Sequence, residues 1–66
     1  MLYYSILRYP HEGYASITIW DSVTSVSYPK VPMAIVPDIE GRFEESISRE
    51  LSLDDIRKEV ERPIWG

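Results

Sequence analysis

Apolar and polar residues alternate along the first third of the chain. In residues 14–20, YASITIW, Ala15, Ile17 and Ile19 fall on one side, and Tyr14, Ser16, Thr18 and Trp20 on the other. Side chains alternate across a strand with a period of two, so the stretch predicts a β-strand. Residues 2–9, LYYSILRY, are rich in aromatic and β-branched types and predict a strand before it. Between them, PHEG at 10–13 has a proline that fixes φ and a glycine that permits positive φ, which suits a turn. Asp21 and Ser22 break the second strand, and residues 23–28, VTSVSY, predict a thinner third one.

The pattern then changes. Residues 29–41, PKVPMAIVPDIEG, carry three prolines in nine residues, and proline cannot donate to a sheet ladder. Met33–Val36 fits a short edge strand, and PDIEG reads as a second turn closed by Gly41. In residues 42–51, RFEESISREL, the four-residue spacing of Phe43, Ile47 and Leu51 suits a helix. The same stretch also alternates, so a strand stays open; its Glu and Arg content favours the helix. Residues 52–62, SLDDIRKEVER, predict a helix more clearly. Ser52 can cap it, with Asp55 at the third helical position. Leu53, Ile56 and Val60 form one apolar stripe, and Pro63 is expected to stop the helix, leaving Ile64, Trp65 and Gly66 as a tail.

These elements predict an α+β fold: a small antiparallel meander of three to four strands, with a C-terminal helix packed on one face. Its 66 residues make one domain, 1–66. With a four-residue loop, Tyr9 lies opposite Tyr14, Ser5 opposite Thr18 and Tyr3 opposite Trp20. One face of the hairpin is then aliphatic, and the other carries Tyr3, Ser5, Leu7, Tyr9, Tyr14, Ser16, Thr18 and Trp20. With a three-residue loop the two faces of the first strand exchange. In both registers the second face is too apolar for open water, so it needs a cover. Residues 29–41 or 43–51, a second copy of the chain, or another macromolecule are the three possible covers.

Composition narrows the chemistry. There is no cysteine, so neither a disulfide nor a thiolate is available, which fits a reducing compartment. No segment nears the ~18 apolar residues that cross a bilayer. The N-terminus lacks a basic stretch of the signal-peptide kind. A cytoplasmic protein with no membrane association is the expectation. The net charge of −4 lies wholly in residues 38–66, which hold nine acids and five bases. Such a balance repels a phosphate backbone and argues against direct nucleic-acid binding. It also leaves open an acidic helix surface that mimics nucleic acid.

No constellation for catalysis emerges, and no enzyme is expected. His11 is the lone histidine and sits in the first turn, so a zinc site lacks ligands and no metal is expected. The pairs Glu44/Glu45, Asp54/Asp55 and Glu59/Glu61 lie on what reads as solvated helix. None of the eight serines stands in a Gly-x-Ser-x-Gly setting, and three scattered glycines build no phosphate loop, so no cofactor is expected. The order of a short sheet, then VPDIEG, then SLDDIRKEV resembles the HicB antitoxins over residues 36–60, with a longer spacing before the turn. The size and acidity also resemble bacteriophage-encoded inhibitors of host enzymes.

The functional expectation is a small non-enzymatic protein-binding module that regulates or inhibits a partner protein. Tyr9, Tyr14 and Trp20 are its candidate anchors on the sheet, and Ile64 and Trp65 those of the tail. The alternatives are a structural homo-oligomer (a homodimer, or a minor subunit of a larger complex) and the acidic mimic.

Overall fold

The structure, a computed structural model, describes the backbone of residues 1–65 and the side chains of residues 1–61. Three antiparallel strands, β1 (Tyr3–Tyr9), β2 (Tyr14–Trp20) and β3 (Ser25–Pro32), pair in the order β1-β2-β3. A 3-10 turn (Met33–Ile35) leads into two helices, α1 (Val36–Ser48) and α2 (Leu53–Trp65). The α+β class is as the sequence predicts, with three strands rather than four and with two helices.

The first hairpin takes the four-residue loop. Tyr9 pairs with Tyr14, Ser5 with Thr18 and Tyr3 with Trp20. Gly13 sits at φ +81, a conformation that favours glycine. The third strand differs from the expected 23–28. Asp21 Oδ1 accepts the backbone N–H groups of Val23 and Thr24, at 2.8 Å each, which holds those residues in the turn. The strand then continues through Pro29 and Pro32. That is allowed because β3 is an edge strand and its register shifts between Ala15 and Ile17. The shift brings Val31 onto the same face as Val26 and Tyr28.

The short strand expected at Met33–Val36 and the turn expected at PDIEG are both replaced by helix. Pro37 occupies the first turn of α1, where its missing N–H has no intrahelical acceptor to serve. Gly41 lies inside the helix, not at a turn. The sheet–turn–helix order shared with the HicB antitoxins therefore does not hold. The helix favoured for residues 42–51 is present, but it begins six residues earlier and ends at Ser48. It closes through Glu50 at φ 57, with the Leu51 N–H on the Ser46 carbonyl and the Glu50 N–H on the Ile47 carbonyl, both at 3.1 Å.

The cap on α2 is as expected. The Asp55 N–H donates to Ser52 Oγ at 3.2 Å, and the Ser52 hydroxyl donates to Asp55 Oδ2 at 3.0 Å. Pro63, however, does not stop the helix, whose backbone runs on to Trp65. A proline at 63 takes away the N–H that would bond the Glu59 carbonyl four residues back. Arg42 Nη1 on α1 donates to that same carbonyl at 3.3 Å. The carbonyl that Pro63 leaves without its helical N–H is thus satisfied from a neighbouring helix.

Both helices lie on one face of the sheet. Ala15, Ile17, Ile19 and Val31 from the strands meet Val36, Ile39 and Phe43 of α1 and Leu53, Ile56 and Val60 of α2 in one buried core. Tyr4 packs its ring 5.5 Å from that of Phe43, which sets α1 beside β1. Tyr28 donates its hydroxyl to Glu61, which sets α2 beside β3.

Candidate functional site

The hairpin register decides what faces away from the helices. Strand alternation sends Ala15, Ile17 and Ile19 into the core, so Tyr14, Ser16, Thr18 and Trp20 must point the other way. Their cross-strand partners Tyr9, Leu7, Ser5 and Tyr3 join them from β1, and Ser25, Ser27 and Pro32 join from β3. Among the described residues no element crosses this outer face. Neither of the two segments that could have covered it, 29–41 and 43–51, does so. The first supplies the end of β3 and the start of α1, and the second packs on the core side.

The face has a definite layout. At one end Tyr3 stacks on Trp20, with centroids 5.8 Å apart and planes 26° apart. At the other end Tyr9 and Tyr14 lie 5.2 Å apart at 44°. The ammonium of Lys30 sits 5.7 Å from the Tyr14 ring, within cation–π range. Between the two pairs runs a hydroxylated belt, where Thr18 Oγ1 and Ser27 Oγ are 3.2 Å apart. Leu7 stands in this belt 57% exposed, and Tyr3 is 49% and Tyr9 38% exposed. Six residues of strand separate Tyr14 from Trp20, which is about 20 Å. The candidates Tyr9, Tyr14 and Trp20 therefore share one face but form two clusters at opposite ends.

Ile64 and Trp65 belong to the helical backbone of α2 rather than to a tail. Their side chains lie outside the described residues. Lys30, like Ser25, Ser27 and Pro32, is a member of the face that the sequence did not reveal. Its placement depends on the irregularity in β3, whose only signal was the change of parity between Tyr28 and Val31.

The helix side carries the charge. Arg42 pairs with Asp38, Arg49 with Glu45 and Arg57 with Glu61, each four residues apart. Glu40 pairs with Arg8 across to β1 at 3.4 Å. The Tyr28 hydrogen bond holds the Glu61 carboxyl below its usual range, with Arg57 adding to the effect. Burial, followed by that bond, pushes the Tyr28 phenol well above its own range. A hydrogen bond to Glu44 does the same to Tyr4, assisted by desolvation and by Glu40. These groups are tied to each other and to the packing of helices on sheet. Asp55 is held by the helix cap, and His11 is exposed in the β1–β2 turn. Among the described residues no three His, Cys, Asp or Glu side chains come together as metal ligands. A shallow hollow of about 500 Å³ lies between the N-terminus and the α1–α2 turn, lined by Met1, Leu2, Asp21, Ile47, Glu50 and Leu51 among others. Its Asp21 is committed to the turn amides, which keep its carboxyl low.

No family model, no curated protein and no solved structure matches this chain. No helix among the described residues is long and apolar enough to cross a membrane.

Proposed function

We propose that the chain is a small non-enzymatic protein-binding module that regulates or inhibits a partner protein by burying its outer sheet face against it. The supporting observation is the pairing of Tyr3 with Trp20 and Tyr9 with Tyr14 at the two ends of a face that no described element crosses. Rigid rings give large contact area at small entropic cost, and hydroxyls between them supply adaptable hydrogen bonds. Aromatic residues are also the usual energetic anchors of an interface. The face carries a single charged side chain, Lys30, whereas most of the acids lie on the helices, so docking here keeps most of the charge in water. The acidic-mimic reading has less support: three of the helix cations are spent on neighbouring carboxylates, which breaks up any regular array of negative charge.

Capture from the native host extract tests the reading. The wild-type chain should retain a specific protein that the Trp20→Ala/Tyr14→Ala double variant loses by tenfold or more. Lys58→Ala on the exposed side of α2 should retain it fully. Equal recovery by all three chains would remove the outer face from the interaction.

A further inference from the structure

The two edges of the sheet are not alike. β3 is blunted by Pro29, Pro32 and an irregular register, devices that keep edge strands from pairing. β1 has none of these. It is seven residues long, contains no proline, and has Arg8 as its one charged residue.

The hydrogen-bonding parity of this open edge follows from the hairpin. The Gly13 carbonyl accepts the Met33 N–H at 3.1 Å, so odd residues of β2 face β3 and even ones face β1. Tyr14, Ser16, Thr18 and Trp20 therefore bond Tyr9, Leu7, Ser5 and Tyr3. The backbone groups of Tyr4, Ile6 and Arg8 are left pointing outward. Tyr4 and Ile6 belong to the core-facing side, yet both are only half-buried, because no described residue closes the edge beside them.

We propose that the occupant of this edge is β1 of a second copy, paired antiparallel about a two-fold axis at Ile6. Three independent features select that register. Ile6 is the midpoint of Tyr3–Tyr9, so the overlap is complete. Ile6 also has outward backbone groups, so Ile6 meets Ile6, and Tyr4 and Arg8 each meet the other, with every outward N–H and carbonyl of the three residues paired. Finally, the charges complement. Arg8 of each copy, which also pairs with Glu40 of its own chain, lies opposite Tyr4 of the other, whose hydroxyl contacts Glu40 and Glu44. A guanidinium thus approaches two carboxylates on both sides of the axis. Moving the register two residues toward Arg8 would instead oppose the two arginines.

The assembly is a continuous six-stranded sheet with all four helices on one side. On its other side Tyr3 of one copy comes beside Tyr9 of the second, which joins the separate aromatic pairs across the seam. One chain's outer face has a projected footprint of roughly 300 Å², well below the ~800 Å² per partner of a standard interface. Pairing doubles it. The edge is a different surface from the outer face, so the dimer stands or falls independently of the proposed partner.

Light scattering after size exclusion and residue-resolved amide exchange on the full chain test this together. The mass should rise with concentration from 7.7 kDa toward twice that value. The amides of Tyr4, Ile6 and Arg8 should slow at least about tenfold over the same range, while those of Ser5 and Leu7, already bonded to β2, stay protected throughout. Ile6→Lys sets two ammonium groups across the axis and should hold the chain at the single-copy mass with an unchanged far-ultraviolet spectrum. Trp20→Ala should still dimerise. A single-copy mass up to millimolar concentration overturns the proposal. So does a dimer in which the three amides exchange freely, which is the signature of face-to-face association. If Ile6→Lys fails to fold, the wild-type exchange data alone decide.

Discussion

Replacing Arg42 tests how α2 survives a proline. Arg42 makes two contacts: Nη1 to the Glu59 carbonyl at 3.3 Å and Nε to Asp38 at 3.1 Å. A hydrogen bond to a charged group contributes about 1.5–3 kcal/mol, and the lower end applies because Arg42 is 35% exposed and the contact is long. The exposed ion pair adds about 0.3–0.5 kcal/mol. Arg42→Met should therefore cost about 1.5–2 kcal/mol, on the order of 6–15 °C in Tm for a domain of this size. The mechanism shows in the cycle with Pro63→Ala. Alanine restores the amide at 63, which can bond the Glu59 carbonyl itself, so Arg42→Met should then cost only the ion pair's ~0.5 kcal/mol. Urea unfolding of the four chains should give a coupling of about 1 kcal/mol. Additivity within ~0.3 kcal/mol would show that Arg42 does not serve that carbonyl.

Other perturbations give equally direct readings. Gly41 lies in the interior of α1 with nothing within 4 Å of an added Cβ, and Glu50 holds φ 57, so Gly41→Ala and Glu50→Gly should each stabilise by about 0.5–1 kcal/mol in urea melts. Phe43 is wholly buried, and Phe43→Ala should cost about 3–5 kcal/mol, enough to unfold a domain this small, as read by circular dichroism at 25 °C. Tyr4 and Tyr28 titrate higher folded than unfolded, so their contribution is fully present below the usual tyrosine value of about 10 and is lost as pH rises beyond it. The Tyr4→Phe/Tyr28→Phe chain should show a flatter fall in urea midpoint from pH 9 to pH 12. Glu61 titrates lower when folded, so its share is present at neutral pH and lost on acidification below about 4.3; Glu61→Gln should flatten that limb.

The hairpin was legible because two independent signals agreed. The alternation of Ala15, Ile17 and Ile19 defined a core face and PHEG marked the turn, while the choice between a three- and a four-residue loop, which sets the register, came from the structure. The outer face followed from that register alone. The region from Pro29 to Gly41 was not legible, because proline and glycine there act through position rather than identity. Pro29 and Pro32 sit on an edge strand, Pro37 in a first helical turn, and Gly41 in a helix whose stripe of Val36, Ile39 and Phe43 outweighs it. That stripe was present in the sequence, but the turn chemistry of PDIEG read more strongly than its spacing. Pro63 misled for a related reason. A proline's effect depends on whether another group reaches the freed carbonyl, and Arg42 lies 21 residues earlier in the chain. Lys30 over Tyr14 likewise required knowing where β3 changes parity.

The proposed binding role requires that the chain's own fold leave the outer face bare, and edge pairing of two copies would leave it bare as well. Proton relaxation induced by a neutral, soluble gadolinium chelate measures this directly on the purified chain. The side chains of Tyr3, Leu7, Tyr9, Thr18 and Trp20 should relax strongly, and those of Ala15, Ile17 and Ile19 hardly at all. Outer-face protons as sheltered as the core's would mean that the face is already covered, and the binding role proposed for it would have no surface to act through.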